Sequence, residues 1–232
     1  MCGRYTLTDP NPLRVAGRFG LEAAEVPEVD GRYNVAPTDT VLAIRDRPDA
    51  GRGAGMLRWG LVPHFSDGPG GKPLINARAE TAHERPAFRG PFERRRCLVV
   101  ADGFYEWQQR EDGKQPLWIH REDGDLFAFA GIWDYWRPDG ADEGIVSCAV
   151  LTCVPNELMA DVHDRMPVIL DPQTESLWLE HDTPPEVLRD LVQPRPWPTL
   201  GLREVSTAVN DVRNDGPRLL DAPGSEAQQR LL

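Results

Sequence analysis

The chain has no run of some 18 apolar residues, so no stretch of it is long enough to cross a bilayer as a helix. No charged-then-apolar leader marks it for secretion, and the expected compartment is the cytoplasm, nucleoid-associated when bound to its partner. Cysteine is scarce: Cys2, Cys97, Cys148 and Cys153, none at Cys-x-x-Cys spacing. No pair of the five histidines stands at ligand spacing with an acidic partner. Zinc and dithiol motifs are therefore missing, and neither a metal nor a cofactor is expected. No repeat or long heptad is present either. What remains is ordinary globular material, 232 residues with 40% hydrophobic and 27% charged side chains, enough for one sizeable core. We expect a single domain over residues 2–220, a disordered tail over 221–232, and a monomer.

The net charge of -11 argues at first against a nucleic-acid partner, because phosphate binding runs on Lys and Arg. Distribution matters more than the sum. Arginines crowd residues 78–96, so a local basic groove can coexist with an acidic whole.

Hydrophobic alternation and turn chemistry give many short strands and several short helices without βαβ alternation. The expected class is α+β, a mostly antiparallel sheet or partly closed β-barrel with several short helices. Thr8-Asp9-Pro10 reads as the start of a helix ending near Phe19, and Asp171-Pro172 as an N-cap with proline at the first helical position. Residues 47–55 read as a Gly-rich connection. Strands at 116–120 and 126–133 flank Asp123-Gly124 as a hairpin. A short helix is expected near 155–160 and a closing strand at 205–210.

The first residues hold the strongest chemical signal. If Met1 is trimmed, Cys2 carries a free amine beside its thiol, and such a 1,2-aminothiol traps aldehydes: the amine forms an imine and the thiol closes a thiazolidine. Glu106, between Tyr105 and Trp107, is a carboxylate whose pKa burial would raise into proton-shuttle range. His163, in His-Asp-Arg-Met-Pro, suits acid and base work near neutral pH. Asn34 and Asn76 can hold an amine or a sugar hydroxyl without altering charge. Arg4, Arg78, Arg85 and Arg165 offer forked donors to phosphate oxygens, and Trp59, Phe65, Tyr105 and Trp107 offer faces to unpaired bases. Each has a plainer alternative: turn residue, surface charge or core aromatic.

Several of these residues fall in motifs that, in order, resemble the SOS-response-associated peptidase (SRAP) family of abasic-site sensors. The motifs are Met1-Cys2-Gly3-Arg4, Tyr33-Asn34-Val35-Ala36-Pro37-Thr38, Arg58-Trp59-Gly60-Leu61-Val62-Pro63, Ile75-Asn76-Ala77-Arg78-Ala79-Glu80-Thr81, Gly103-Phe104-Tyr105-Glu106-Trp107, His163-Asp164-Arg165-Met166-Pro167 and Val209-Asn210. The resemblance spans residues 2 to about 220. It implies covalent capture of abasic sites in single-stranded DNA, with Cys2 as nucleophile, Glu106 as proton shuttle, His163 opening the sugar and Asn76 holding amine and sugar in register. It further implies phosphate contacts at Arg4, Arg78 and Arg165, a base-stack wedge at Pro37, and self-removal of Met1 as the peptidase-like step. Where relatives carry consecutive tryptophans after the Trp-Gly-x-x-Pro motif, this chain has His64-Phe65-Ser66, so stacking there is weaker or rests on Phe65. Two other functions remain open on residues alone: an N-terminal-nucleophile hydrolase, and a single-strand binder in which Cys2 has no role.

Overall fold

The computed structural model describes residues 2–47 and 51–224. Two sheets carry the fold. Strands β3 (Thr40–Arg47), β4 (Gly51–Trp59), β6 (Arg96–Ala101), β9 (Phe127–Trp136) and β10 (Ile145–Cys153) close on themselves. Every pairing around this ring is antiparallel except β10 with β4, which makes a five-stranded barrel. Short strands β5 (Asn76–Arg78), β11 (Met166–Pro167) and β12 (Ile169–Leu170) attach to its rim. The second sheet has the order β13-β8-β7-β1-β2, from β1 (Tyr5–Leu7), β2 (Arg32–Val35), β7 (Gly103–Arg110), β8 (Gly113–Arg121) and β13 (Leu200–Glu204). The class is α+β, as expected from the sequence.

The sheet and the barrel share one core. Tyr5 from β1 meets the edges of Trp59 and Phe129 at centroid distances of 5.5 and 5.8 Å, and Phe104 from β7 meets Phe129 at 5.9 Å. These edge-on contacts, within a large cluster of buried aliphatic residues, fix the amino-terminal strand against the barrel. A polar lock reinforces it: Asp102 accepts from the Thr6 hydroxyl and from the Thr8 amide and hydroxyl, each at 2.6 Å. Gly103 follows because a side chain there would overlap Trp118, whose Nε1 lies 2.2 Å from an ideal Cβ.

The helices are short, and three of the five α-helices among the described residues begin at a polar residue followed by proline. Helix α1 (Pro12–Phe19) is capped by the Asn11 side chain, which accepts from the Leu13 amide, and ends at Gly20 in the left-handed conformation. It starts two residues after the expected Asp9-Pro10 pair; Asp9 instead takes an ion pair with Arg14 at 3.1 Å. Helices α2 (Ala79–Ala82) and α3 (Pro86–Arg94) follow β5. Helix α4 (Pro172–Leu179) starts where expected, with Asp171 accepting from the Gln173 and Thr174 amides, and α5 (Pro185–Leu191) follows.

Four local expectations need correction. Asp123-Gly124 does not join a hairpin: β8 pairs back with β7 and outward with β13, whereas β9 lies in the barrel. Gly51 to Gly55 belong to β4, paired with Arg47 to Ala43, while residues 48–50 lie outside the described residues. Residues 155–160 form turns rather than a helix. The closing strand is Leu200–Glu204, and Thr207–Asn210 is a single 3-10 turn. Of the expected tail, 225–232 lies outside the described residues, while the Asp221 carbonyl accepts from the Ser206 amide. No helix among the described residues is long and apolar enough to cross a membrane.

Candidate active site

Strand β1 is wedged between β2 and β7, and this fixes where the residues just before it must lie. Cys2 is fully buried. Its thiol points at the Arg4 carbonyl, 3.9 Å away, and its own carbonyl accepts from Asn76 Nδ2 at 2.8 Å. Asn76 opens β5, whose parallel pairing with Val150 to Thr152 holds that amide rigidly against the amino end. Burial, then the neighbouring Glu106 carboxylate, push the Cys2 thiol well above its ordinary pKa.

Glu106 sits mid-strand in β7, opposite Leu117, and is only 2% exposed. Burial raises its carboxyl from 4.5 to about 7. Such a group gives and takes protons near neutrality without further tuning. His163 is half-buried and shares with Glu106 the wall of a cavity of about 440 Å³, completed by Trp107, Lys114 and Asn210. Its Nδ1 accepts from the Arg165 amide at 3.0 Å, and Asp164 Oδ1 lies 2.7 Å from the same nitrogen. In the neutral ring, acceptance from the amide leaves Nε2 to carry the proton; in the cation, Asp164 offsets the charge. On balance burial lowers the imidazole's pKa. Cys2, Asn76, Glu106 and His163, separated by up to 161 positions in sequence, are thus brought into one region: Asn76 holds Cys2, the Glu106 charge acts on its thiol, and Glu106 shares a cavity wall with His163. Met1 lies outside the described residues.

A second, larger cavity of about 650 Å³ adjoins across Trp107, with Arg4, Pro37 and Thr38 on its wall. Pro37 and Thr38 are the central pair of the Ala36-to-Asp39 turn, closed by the Asp39 amide on the Ala36 carbonyl at 3.1 Å. Thr38 has φ 79°, which a β-branched residue adopts only under strain. The turn is nonetheless held: the Thr38 amide donates to the Trp59 carbonyl at 2.7 Å, and Asp39 Oδ2 accepts from the Ala36 amide at 3.1 Å.

The arginines divide. Arg78 and Arg85 are exposed. Arg4 is committed: its Nη1 donates to Asn34 Oδ1 at 2.9 Å and to the Val209 carbonyl at 2.7 Å. Arg165 grips both oxygens of Glu80, at 2.7 and 2.8 Å, so a phosphate would have to displace that carboxylate. The arginine-rich stretch over 78–96 is not one basic face, because Arg96 is buried with its guanidinium on the Phe92, Glu93, Trp178 and Glu180 carbonyls. Arg95 pairs with Asp134.

Two candidates are corrected. Trp59 is 1% exposed, its indole N–H donates to the Ile75 carbonyl at 2.9 Å, and it offers no face to a base. Asn34 is fully buried, and its Nδ2 serves the Val209, Asp211 and Asn214 carbonyls, so it clamps the 207–214 turn rather than meeting a ligand. Phe65 is 59% exposed, with its ring edge-on to His64. Sequence reasoning missed Asn210 and Lys114 as site residues. Asn210 had a visible signal in the Val209-Asn210 motif; its Oδ1 accepts from Trp107 Nε1 at 2.7 Å and so sets the ring between the two cavities. Among the described residues no group of three or more His, Cys, Asp or Glu is placed to hold a metal ion.

The family model for SOS response associated peptidase (SRAP) matches residues 1–212. The chain belongs to the SRAP family. Among curated proteins it is 40% identical over 228 residues to the abasic site processing protein YoqW of Bacillus subtilis (strain 168), covering 96% of this chain and 100% of that one. It is 34% identical over 227 residues to the abasic site processing protein YedK of Escherichia coli (strain K12), covering 95% and 99%. Against HMCES of Gallus gallus, also named an abasic site processing protein, it is 36% identical over 189 residues, covering 71% of this chain and 56% of that one. A solved structure from Bordetella bronchiseptica superposes with a TM-score of 0.75 at 29% identity, covering 88% of this chain and 99% of that one. One from Bacteroides thetaiotaomicron superposes at 0.81 and 22%, covering 95% and 99%, and speaks to the fold alone. Of the residues in the SRAP motifs, Glu106, Trp107, His163 and Asn210 line one cavity, and Arg4, Pro37 and Thr38 line the neighbouring one.

Proposed function

We propose that this SRAP protein captures abasic sites in single-stranded DNA as a covalent thiazolidine on Cys2, shielding the lesion from strand cleavage. The observation that carries the proposal is the state of the amino end. Cys2 is buried, its carbonyl is held by Asn76, and its thiol lies beside a carboxyl poised at about 7. The relatives' names point to the same lesion.

Removal of Met1, which the family label suggests is self-catalysed, gives Cys2 a free amine. His163, through Nε2, protonates the ring oxygen of the closed sugar and exposes its aldehyde. The amine condenses with that aldehyde and releases water. The thiol sulfur then adds to the imine carbon, and its proton ends on nitrogen, closing a five-membered ring. Because burial holds the thiol in its protonated form, this last transfer needs a base within reach, and Glu106 is that base. Asn76 keeps the amino end still while both bonds form, which is worth most when the reacting atoms are already aligned. Unpaired DNA suits the site because its backbone bends without the cost of opening a duplex. Pro37, on its strained turn beside Arg4, would part the neighbouring bases. Arg78, Arg85 and, after release from Glu80, Arg165 would meet phosphates, with Phe65 as an exposed stacking face.

The test is incubation of the Met1-free protein with a single-stranded oligonucleotide holding one abasic site. A band resistant to denaturation should form without borohydride, and Cys2→Ala should abolish it. An equally stable band from Cys2→Ala would overturn the mechanism.

A further inference from the structure

Only two of the 26 basic residues are lysine, Lys72 and Lys114, and one of them lies on the wall of the Glu106 and His163 cavity. Lys114 is the second residue of β8, directly after Gly113, where the hairpin from β7 turns, and lies opposite Gln109. Its side chain is exposed, and among the described residues no hydrogen bond or ion pair engages its ammonium. The nearby arginines differ: Arg4 is bound to Asn34 and Val209, and Arg165 to Glu80. In a protein of net charge -11, a cation on the wall of a cavity whose lining holds a single carboxyl, Glu106, favours the approach of a polyanion there.

We propose that Lys114 is a substrate-binding residue, whose ammonium takes a phosphate oxygen of the backbone step adjoining the abasic sugar. The inference rests on the capture reading above and names the contact by which the same cavity holds its DNA. Lysine suits the position better than a guanidinium. It is a compact charge on a flexible stem with three rotatable donors, able to follow one phosphate while the sugar passes from closed ring to captured adduct.

The experiment compares wild type, Lys114→Gln, Lys114→Arg and Lys72→Gln. Second-order capture rates on a single-stranded abasic oligonucleotide are measured across a salt series, together with non-covalent binding of the same oligonucleotide in a Cys2→Ala background. One phosphate contact contributes roughly 0.7 to the slope of log affinity against log salt on single strands. Lys114→Gln should therefore flatten both slopes by about that amount and slow capture by about fivefold at low salt. Lys114→Arg should keep the slope, and Lys72→Gln, on a different cavity, should match wild type. Melting temperatures show that each variant is folded. Unchanged slopes in Lys114→Gln would overturn the inference. If wild type formed no stable adduct, the capture reading would fall instead, and the binding slopes would still decide the role of Lys114.

Discussion

Glu106→Gln separates a catalytic carboxylate from a structural one, because the same burial makes opposite demands on activity and stability. Burial raises this carboxyl from 4.5 in the unfolded chain to about 7 in the fold. A group whose folded pKa is raised favours the fold below pH 4.5 and loses that contribution as pH climbs through 7. The shift amounts to about 3 kcal/mol of destabilisation once the carboxylate is ionised. Glutamine has nearly the same shape and cannot ionise. Urea unfolding of Glu106→Gln should therefore match wild type near pH 4 and show a gain of up to about 3 kcal/mol near pH 8. Activity should move the other way. With Glu106 as the base, capture by wild type rises about tenfold per pH unit up to about 7 and then levels. Glu106→Gln should be slower by roughly 10²- to 10⁴-fold and lose this inflection. Equal destabilisation of the variant at both pH values would refute the reasoning, since it would mean that Glu106 is ionised and structurally paired in the fold.

Three further outcomes follow from named contacts. Asn76→Ala removes the donor to the Cys2 carbonyl, a bond worth about 1 kcal/mol, and should slow capture in rapid-quench assays more than it lowers the melting temperature. Asn34→Ala strips a buried amide from three backbone carbonyls and should cost about 2 to 3 kcal/mol in chemical denaturation, with faster hydrogen exchange at residues 207–214. Glu80→Gln loosens its hold on Arg165 and should tighten binding of unmodified single-stranded DNA up to about fivefold in fluorescence anisotropy, the worth of an exposed ion pair; unchanged affinity would leave Arg165 as a purely structural residue.

The sequence made the chemistry more legible than the packing. Cys2 stood out as an aminothiol, Glu106 as a carboxyl between two aromatics, His163 as an imidazole suited to neutral pH and Asn76 as a neutral amide, and the fold brings all four into one region. Trp59 and Asn34 misled for a shared reason. A strand residue's face depends on what covers it, and the partner of Asn34 at Val209 lies 175 positions away. Asp123-Gly124 carries correct turn chemistry, but strand pairing is a non-local choice that sent β8 back to β7. Strand β13 was invisible because Leu200–Glu204 is an edge strand with one buried residue and little alternation. Lys114 gave no local signal, since a lone lysine near a turn reads as a solvated face until the cavity beside it is known.

The central claim is best tested by intact mass spectrometry after incubation with an abasic oligonucleotide under native conditions. The account predicts one species lacking Met1 and joined to the oligonucleotide with loss of a single water, with fragmentation placing the link on Cys2. An adduct on a chain that still begins with Met1, or a link on any other residue, would contradict it.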